Sequence, residues 1–358
     1  MACKNANDYI LVDDEPSLEE AIFELREKVK RNALLAVDCE GVSLSRKGAL
    51  TIITVATEER VYIFDVLKLG RTVFRNGLGE ILEDKSRDKL MFDCREDSDA
   101  LWHQFQVKLS GVLDLQLLEV MYRRENTATG SSRFSTKYKR RSQRTVQVES
   151  IYGFRRCIEL YAHDKAFIKM KDKGKELMKR NKEVWRKRPL SDELIQYCIV
   201  DTVAMFRLYD RMKDVNGGEK ARLRVASERY ADYYRSRTTR SYDDYERNAY
   251  LPLGIIPDKE TLDFAPATTA CTRCHRLFPR EELSVTQLRS GERKCRVCQE
   301  IKRREDVQRN RESIWARRAE RDYFDYFCDE DDYDYGYEDD YRYDVEDDYD
   351  CGYDDGWW

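Results

Sequence analysis

Three apolar runs follow one another with only short polar turns between them: LLAVDCEGV at residues 34–42, ALTIITVAT at 49–57 and RVYIFDVLK at 60–68. Each has the length of a strand and is rich in Val, Ile and Thr, which fit a pleated, half-buried surface. They read as consecutive strands of a meander. Ahead of them DYILVDD (8–14) reads as a short strand, and Ser17-Leu18-Glu19-Glu20 as a capping box opening a helix. Leu18, Ala21, Ile22, Leu25 and Val29 carry that helix to Arg31 with helical spacing. After the meander come a short helix in GLGEILEDKS, a strand in DKLMFDC and a helix in EDSDALWHQFQV that starts near Asp97. Such an order predicts an α/β layer fold with a mixed sheet flanked by helices.

The stretch from Tyr122 to about Gln147 is polar and strongly basic, a long loop by composition. Helical periodicity returns in SIYGFRRCIELYA (150–162) and, beyond the Lys-rich segment 165–188, in LSDELIQYCIVDTVAMFRLYDRMK (190–213). Pro189 and Ser191 mark the start of this last helix, and Gly217-Gly218 its stop, so the first domain is expected over residues 1–215. Residues 216–265 read as a helix running into a linker.

Two carboxylates interrupt the first apolar run. Residues i and i+2 of a strand share a face, so Asp38 and Glu40 emerge side by side. Carboxylates that close repel each other unless a cation sits between them, and their oxygens suit hard ions such as Mg²⁺ or Mn²⁺. Alone, the pair fits a strand end open to water equally well. Tyr197 and Asp201, four apart on a strongly patterned helix, share a face as well. Asp97 follows a strand at a helix start, where the dipole favours an anion.

The segments AVDCEG, FDCREDSDAL and YCIVD, in that order, resemble the three exonuclease motifs of the DEDD superfamily. The tyrosine of the third places the likeness in the DEDDy branch, nearest to ribonuclease D-like and Egalitarian-like proteins, over roughly residues 8–215. The resemblance implies a ribonuclease H-like fold and a metal-dependent 3′–5′ exonuclease that releases nucleoside 5′-monophosphates, with single-stranded RNA 3′ ends as the expected partner. It assigns Asp38 and Glu40 to the first motif, Asp97 to the second, with Asp99 as the fallback, and Tyr197 with Asp201 to the third. Asp38 would then bridge two metal ions, Glu40 and Asp201 would hold the water-activating one, Asp97 would position the other, and Tyr197 would orient the nucleophile. Phe92 departs from the family, which often has His there, although that His is not a metal ligand in the pattern. Some Egalitarian-like relatives act as RNA-binding adaptors after losing acidic residues, which gives the alternative reading; here all four carboxylates and the tyrosine are present. His103 and His163 read as surface or packing residues, Cys39 and Cys198 as packing behind the site, and Arg95 as either a phosphate contact or a turn cap.

Farther on, Cys271 and Cys274 stand 20 residues before Cys295 and Cys298. CxxC-x20-CxxC provides four thiolates on two knuckles, the composition of a closed, structural Zn²⁺ site over residues 266–321, with His275 a bystander. Arg273, Arg276, Arg280, Arg289, Arg293, Lys294 and Arg296 suit phosphates or an acidic protein partner. A basic, solvated helix follows Cys298.

Charge divides the chain. Residues 322–358 hold 17 Asp or Glu against one Arg, so a formal net charge of −4 leaves +12 on the rest. A basic body calls for a polyanionic partner, and an Asp/Tyr-rich tail, expected to be disordered, could compete with it, recruit a protein, or simply solubilise. The run KYKRRSQR (137–144) fits a nuclear-import signal, a strand-holding loop or a solvated face. No membrane span or signal-peptide pattern is evident, and the remaining cysteines are scattered, so an intracellular setting, cytoplasmic or nuclear, is expected.

Overall fold

The computed structural model describes residues 8–128, 148–213, 217–264 and 266–328. The basic run 137–144 and the tail beyond Cys328 lie outside these. The chain forms two compact units: one of residues up to Tyr242 together with Asn248–Ala267, the other of Asp243–Arg247 with the residues from Thr268 onward.

The first unit is built on a six-stranded sheet. Its strands are β1 (Tyr9–Val12), β2 (Leu35–Val42), β3 (Ala49–Ala56), β4 (Val61–Asp65), β5 (Lys89–Met91) and β6 (Val112–Asp114), in the spatial order β1-β4-β3-β2-β5-β6. The three apolar runs pair antiparallel as expected, β2 with β3 and β3 with β4. β1 joins β4 in parallel, and β5 and β6 extend the other edge in parallel, which makes the sheet mixed. Ile52, Ile53, Val55, Tyr62, Ile63 and Phe64 are fully buried, so the meander is the centre of the core.

Several elements differ from the sequence reading. The first helix is Glu15–Lys30, and its capping box pairs Asp14 with Ser17: Asp14 Oδ1 accepts from the Ser17 N–H at 2.9 Å. Asp at the N-cap competes well with Ser, and Pro16 fits the first turn only if the helix starts here. The Lys-rich segment forms a helix, Lys165–Arg180, started by Asp164, which accepts from the N–H groups of Ala166 and Phe167. β6 is three residues long, too short to show a period. The Ser191 cap is as expected: its hydroxyl accepts from Leu194 N–H at the head of the Asp192–Met212 helix.

Residues 217–235 form the helix expected at the head of the connector; what differs is its packing, on β6 and on the Arg95–Ala100 helix, with Tyr230, Ala231 and Tyr234 buried. The compact unit therefore runs well past residue 215. Among the described residues no helix is long and apolar enough to cross a membrane.

The second unit holds a two-stranded sheet, β7 (Ala267–Ala270) with β8 (Leu277–Pro279), a short helix Val285–Ser290, and a long helix Arg296–Cys328. Residues 302–321 of the long helix are largely exposed, and its backbone enters the segment expected as tail.

Candidate active site

Asp38 and Glu40 project from β2 where it meets a bulge. The β2–β3 register shifts between Glu40 and Gly41, and the extra residue on β3, Thr51, donates its hydroxyl to Glu40 O at 3.2 Å. Bulges re-aim side chains beside functional sites. Gly41 is required here, because a Cβ would lie 1.9 Å from Ala49 O.

The Asp192–Met212 helix crosses β2 and brings Asp201 to the same place. Carboxylate oxygens of Asp38, Glu40 and Asp201 all lie within 4.8 Å of one another. Asp38 Oδ2 is buried and has no hydrogen-bond partner. A buried, unpartnered carboxylate oxygen is costly unless a cation completes it. Three convergent carboxylates, one of them carrying an orphaned oxygen, are therefore a donor set that fits a hard divalent ion.

Electrostatics point the same way. Burial, and then the charge of Asp201, pushes the Asp38 carboxyl up to about 7. Glu40 is pushed well up by burial and by Asp38 and Asp201. Asp201 is raised by burial, opposed by Lys171.

Asp97 and Asp99 lie in one turn of the Arg95–Ala100 helix, which begins two residues ahead of the expected start. Asp97 is buried outside the three-oxygen cluster and raised by burial, then by the charge of Asp38, with the buried Cys39 thiol opposing the rise. Asp99 is occupied elsewhere. Arg46 Nη2 reaches its Oδ1 at 2.8 Å, Arg240 Nη1 its Oδ2 at 3.0 Å, and its side chain is fully buried. Burial pushes Asp99 up, but these guanidinium partners hold its carboxyl below the usual value.

Tyr197 sits one turn before Asp201, its ring edge-on to Trp185 at 6.2 Å. Gly174 of the Lys165–Arg180 helix packs flat on that ring: a Cβ there would fall 2.1 Å from Tyr197 Cδ2. Burial and the neighbouring carboxylates push the phenol well above its usual value.

Lys171 is a member of the site that sequence reasoning does not find. Its Nζ bonds Asp201 Oδ1 and lies 3.2 Å from Tyr197 Oη. One lysine among six in a 16-residue helix carries no sequence mark of facing inward. Arg95, read from sequence as a phosphate contact or a turn cap, has its guanidinium buried, 2.7 Å from Asp93 Oδ2 and 4.6 Å from the Tyr230 ring centre. Phe92 packs against Phe154. His103 Nε2 lies 3.1 Å from Arg235 O, and Cys198 is buried.

In the second unit the sulfurs of Cys271, Cys274, Cys295 and Cys298 lie within 4.8 Å of one another, while His275 is exposed. N–H groups of Arg273 and Cys295 donate to Cys271 Sγ at 3.4 and 3.3 Å. The three neighbouring thiols hold Cys271 below its usual value. Four sulfurs so close, with backbone donors turned toward one of them, fit a soft, tetrahedral ion.

A family model described as 3′–5′ exonuclease matches residues 9–215. Mouse piRNA biogenesis protein EXD1 is 32% identical over 180 residues, covering 50% of this chain and 29% of that protein. Human EXD1 is 32% identical over 180 residues, covering 50% and 32%. The chain thus spans about a third of the length of these relatives. Among solved structures, the Trypanosoma brucei RNase D–GMP complex superposes with TM-score 0.50 at 25% identity, covering 64% of each chain. T. brucei RNase D with RNA U12 gives 0.52 at 22% identity, covering 78% of this chain and 87% of that one, a likeness of fold. With more than half of its length matched, and with the tyrosine-bearing third motif beside the clustered acids, the chain belongs to the 3′–5′ exonuclease family, as a DEDDy-type domain.

Proposed function

We propose that the protein is a metal-dependent 3′–5′ exonuclease that removes nucleoside 5′-monophosphates from the 3′ ends of single-stranded RNA. The observation that carries this reading is the convergence of the Asp38, Glu40 and Asp201 carboxylates, with Asp38 Oδ2 buried and unpartnered. Asp38, Glu40 and Asp201 would hold Mg²⁺ or Mn²⁺, and Asp97 would hold a second ion through water. Bound divalent ions supply Lewis acidity, polarising the phosphoryl group and acidifying water.

The chain's own residues do the rest. Tyr197, its phenol pushed up by burial, stays protonated at neutral pH and donates a hydrogen bond rather than taking a proton. It therefore orients the attacking water or the scissile phosphate. Asp97 takes the second-motif role because Asp99 is neutralised by Arg46 and Arg240. RNA is favoured over DNA by the relatives, whose name places them in piRNA biogenesis. We assign the four cysteines to a structural zinc ion, which leaves no open coordination position for chemistry. The domains then read as an exonuclease unit, a zinc module with its basic helix, and an acidic tail.

The test is to offer 5′-labelled single-stranded RNA and DNA with free 3′-hydroxyls, in Mn²⁺ or Mg²⁺, to the full-length protein. Stepwise shortening with release of nucleoside 5′-monophosphates, faster on RNA, is expected. Binding without shortening in either metal would replace this reading with that of an RNA-binding adaptor.

The contact of Gly174 with Tyr197 gives a second expected outcome. Gly174→Ala forces the ring to move, since the added methyl overlaps it. A displacement of an ångström costs about a hundredfold when positioning is the catalytic contribution. Alanine favours the helix by about 1 kcal/mol, so stability should fall little. Single-turnover rates falling by about tenfold to a hundredfold, with Mn²⁺ affinity unchanged by calorimetry, would match this account. An unchanged rate would show that the Tyr197 position does not matter.

A further inference from the structure

One charged group of the site has no part in the exonuclease chemistry assigned above. Lys165, Lys169, Lys173 and Lys179 of the Lys165–Arg180 helix are exposed, but the Lys171 side chain is only 11% exposed. Its ammonium stands 4.5 Å from the Tyr197 ring centre and 4.8 Å from that of Phe154, so its approach to the carboxylates is fixed by two aromatic walls. The helix is itself anchored. Asp164 caps its start and pairs with Arg207 of the Asp192–Met212 helix, and Asp172 pairs with Arg155 at 2.7 Å. Lys171 is thus built into the site rather than draped over it.

From that position the ammonium bonds Asp201 Oδ1 and lies within hydrogen-bond reach of Tyr197 Oη. Asp201 is one of the three carboxylates whose oxygens converge. A carboxylate oxygen that accepts from an ammonium donates less to a metal ion, and two cations sharing one anion repel each other. At the same time the ammonium holds the phenol oxygen, which keeps Tyr197 on the side of the site where Asp201 stands.

We propose, on the basis of the exonuclease reading of this site, that Lys171 is a positioning residue that shares Asp201 with the divalent ion, weakening the ion's hold so that it exchanges readily while Tyr197 stays aligned. The arrangement explains why a lysine is tolerated beside acids that otherwise recruit metal. It makes occupancy of the site depend on the free divalent concentration, because an internal cation satisfies Asp201 when the ion leaves.

The experiment is isothermal calorimetry of Mn²⁺ binding to zinc-loaded, full-length protein, comparing the parent with Lys171→Met and Lys171→Arg. Methionine keeps the length and apolar contacts of the stem and removes the charge; arginine restores the charge. Lys171→Met is expected to bind Mn²⁺ at least about tenfold more tightly, yet to cleave more slowly, with Lys171→Arg returning toward the parental affinity. A merely structural lysine would give the opposite, weaker binding on substitution. Lys171→Gln and circular dichroism of each variant guard against misfolding. Equal or weaker Mn²⁺ binding in both folded neutral variants would overturn the proposal while leaving the nuclease reading intact if the parent binds Mn²⁺ and cleaves. A parent that binds no Mn²⁺ would overturn both.

Discussion

Asp38→Asn should abolish cleavage, by about a thousandfold or more, and at the same time raise the melting temperature of the metal-free protein at pH 8. The two effects have one origin. Burial and Asp201 raise the Asp38 carboxyl from 3.8 to about 7, so the folded chain keeps a proton that the unfolded chain loses above pH ~4. A raised carboxylate contributes stability that is fully present below the unfolded pKa and is lost as pH rises through the folded one. Glu40 and Asp97 are raised in the same sense, both chiefly by burial. In chelator, the parent should therefore melt several degrees lower at pH 8 than at pH 5, and the Asn variant should show a shallower fall. Mn²⁺ at pH 8 should stabilise the parent and not the variant, because binding to the native state alone shifts the melting point. Differential scanning fluorimetry across pH, with and without Mn²⁺, reads all of this. A parent that becomes more stable from pH 5 to 8 without metal would show that the acids are not held in strained company.

Removing the zinc proposed for the four cysteines should unfold the second unit and spare the first. Its buried apolar groups, outside the cysteines, are few, chiefly Phe278, Leu283, Val297 and Ile301. Small units with so little core depend on a staple, and a structural zinc contributes an apparent ~10–16 kcal/mol at neutral pH. Treatment of the full-length protein with a strong chelator, or Cys295→Ser, is expected to make residues 268–298 susceptible to limited proteolysis. The sheet of the first unit should remain protected, since its core does not involve the thiolates. Metal analysis should find one zinc per chain. A chain that lacks zinc as isolated and resists protease over 268–298 would remove the metal from the account of this unit.

How much of the molecule is legible in its sequence depends on the range of the interactions involved. The meander is legible because Val, Ile and Thr cluster locally, and Asp38 and Glu40 because a strand's period is two. The motif picks Asp97 over Asp99, but the sequence hides why Asp99 is occupied: its partners Arg46 and Arg240 are 53 and 141 residues away. Lys171 is hidden among other lysines, and only the packing of Phe154 and Tyr197 singles it out. The start of the first helix is ambiguous by a turn because Asp14 and Ser17 both make acceptable caps, and local propensity does not rank them. Residues 217–235 read as the way into a linker because their charge hides the burial of Tyr230 and Tyr234.

That last helix separates two kinds of boundary. The stretch recognisable as exonuclease ends at residue 215, yet the buried guanidinium of Arg95 has Tyr230 and Tyr234 for its wall, and Arg235 reaches back to Ser98 and to Leu109 O. Ancestry and foldability therefore stop at different places: a fragment cut at the edge of kinship would leave the floor of the second motif open to water, however complete its signature residues.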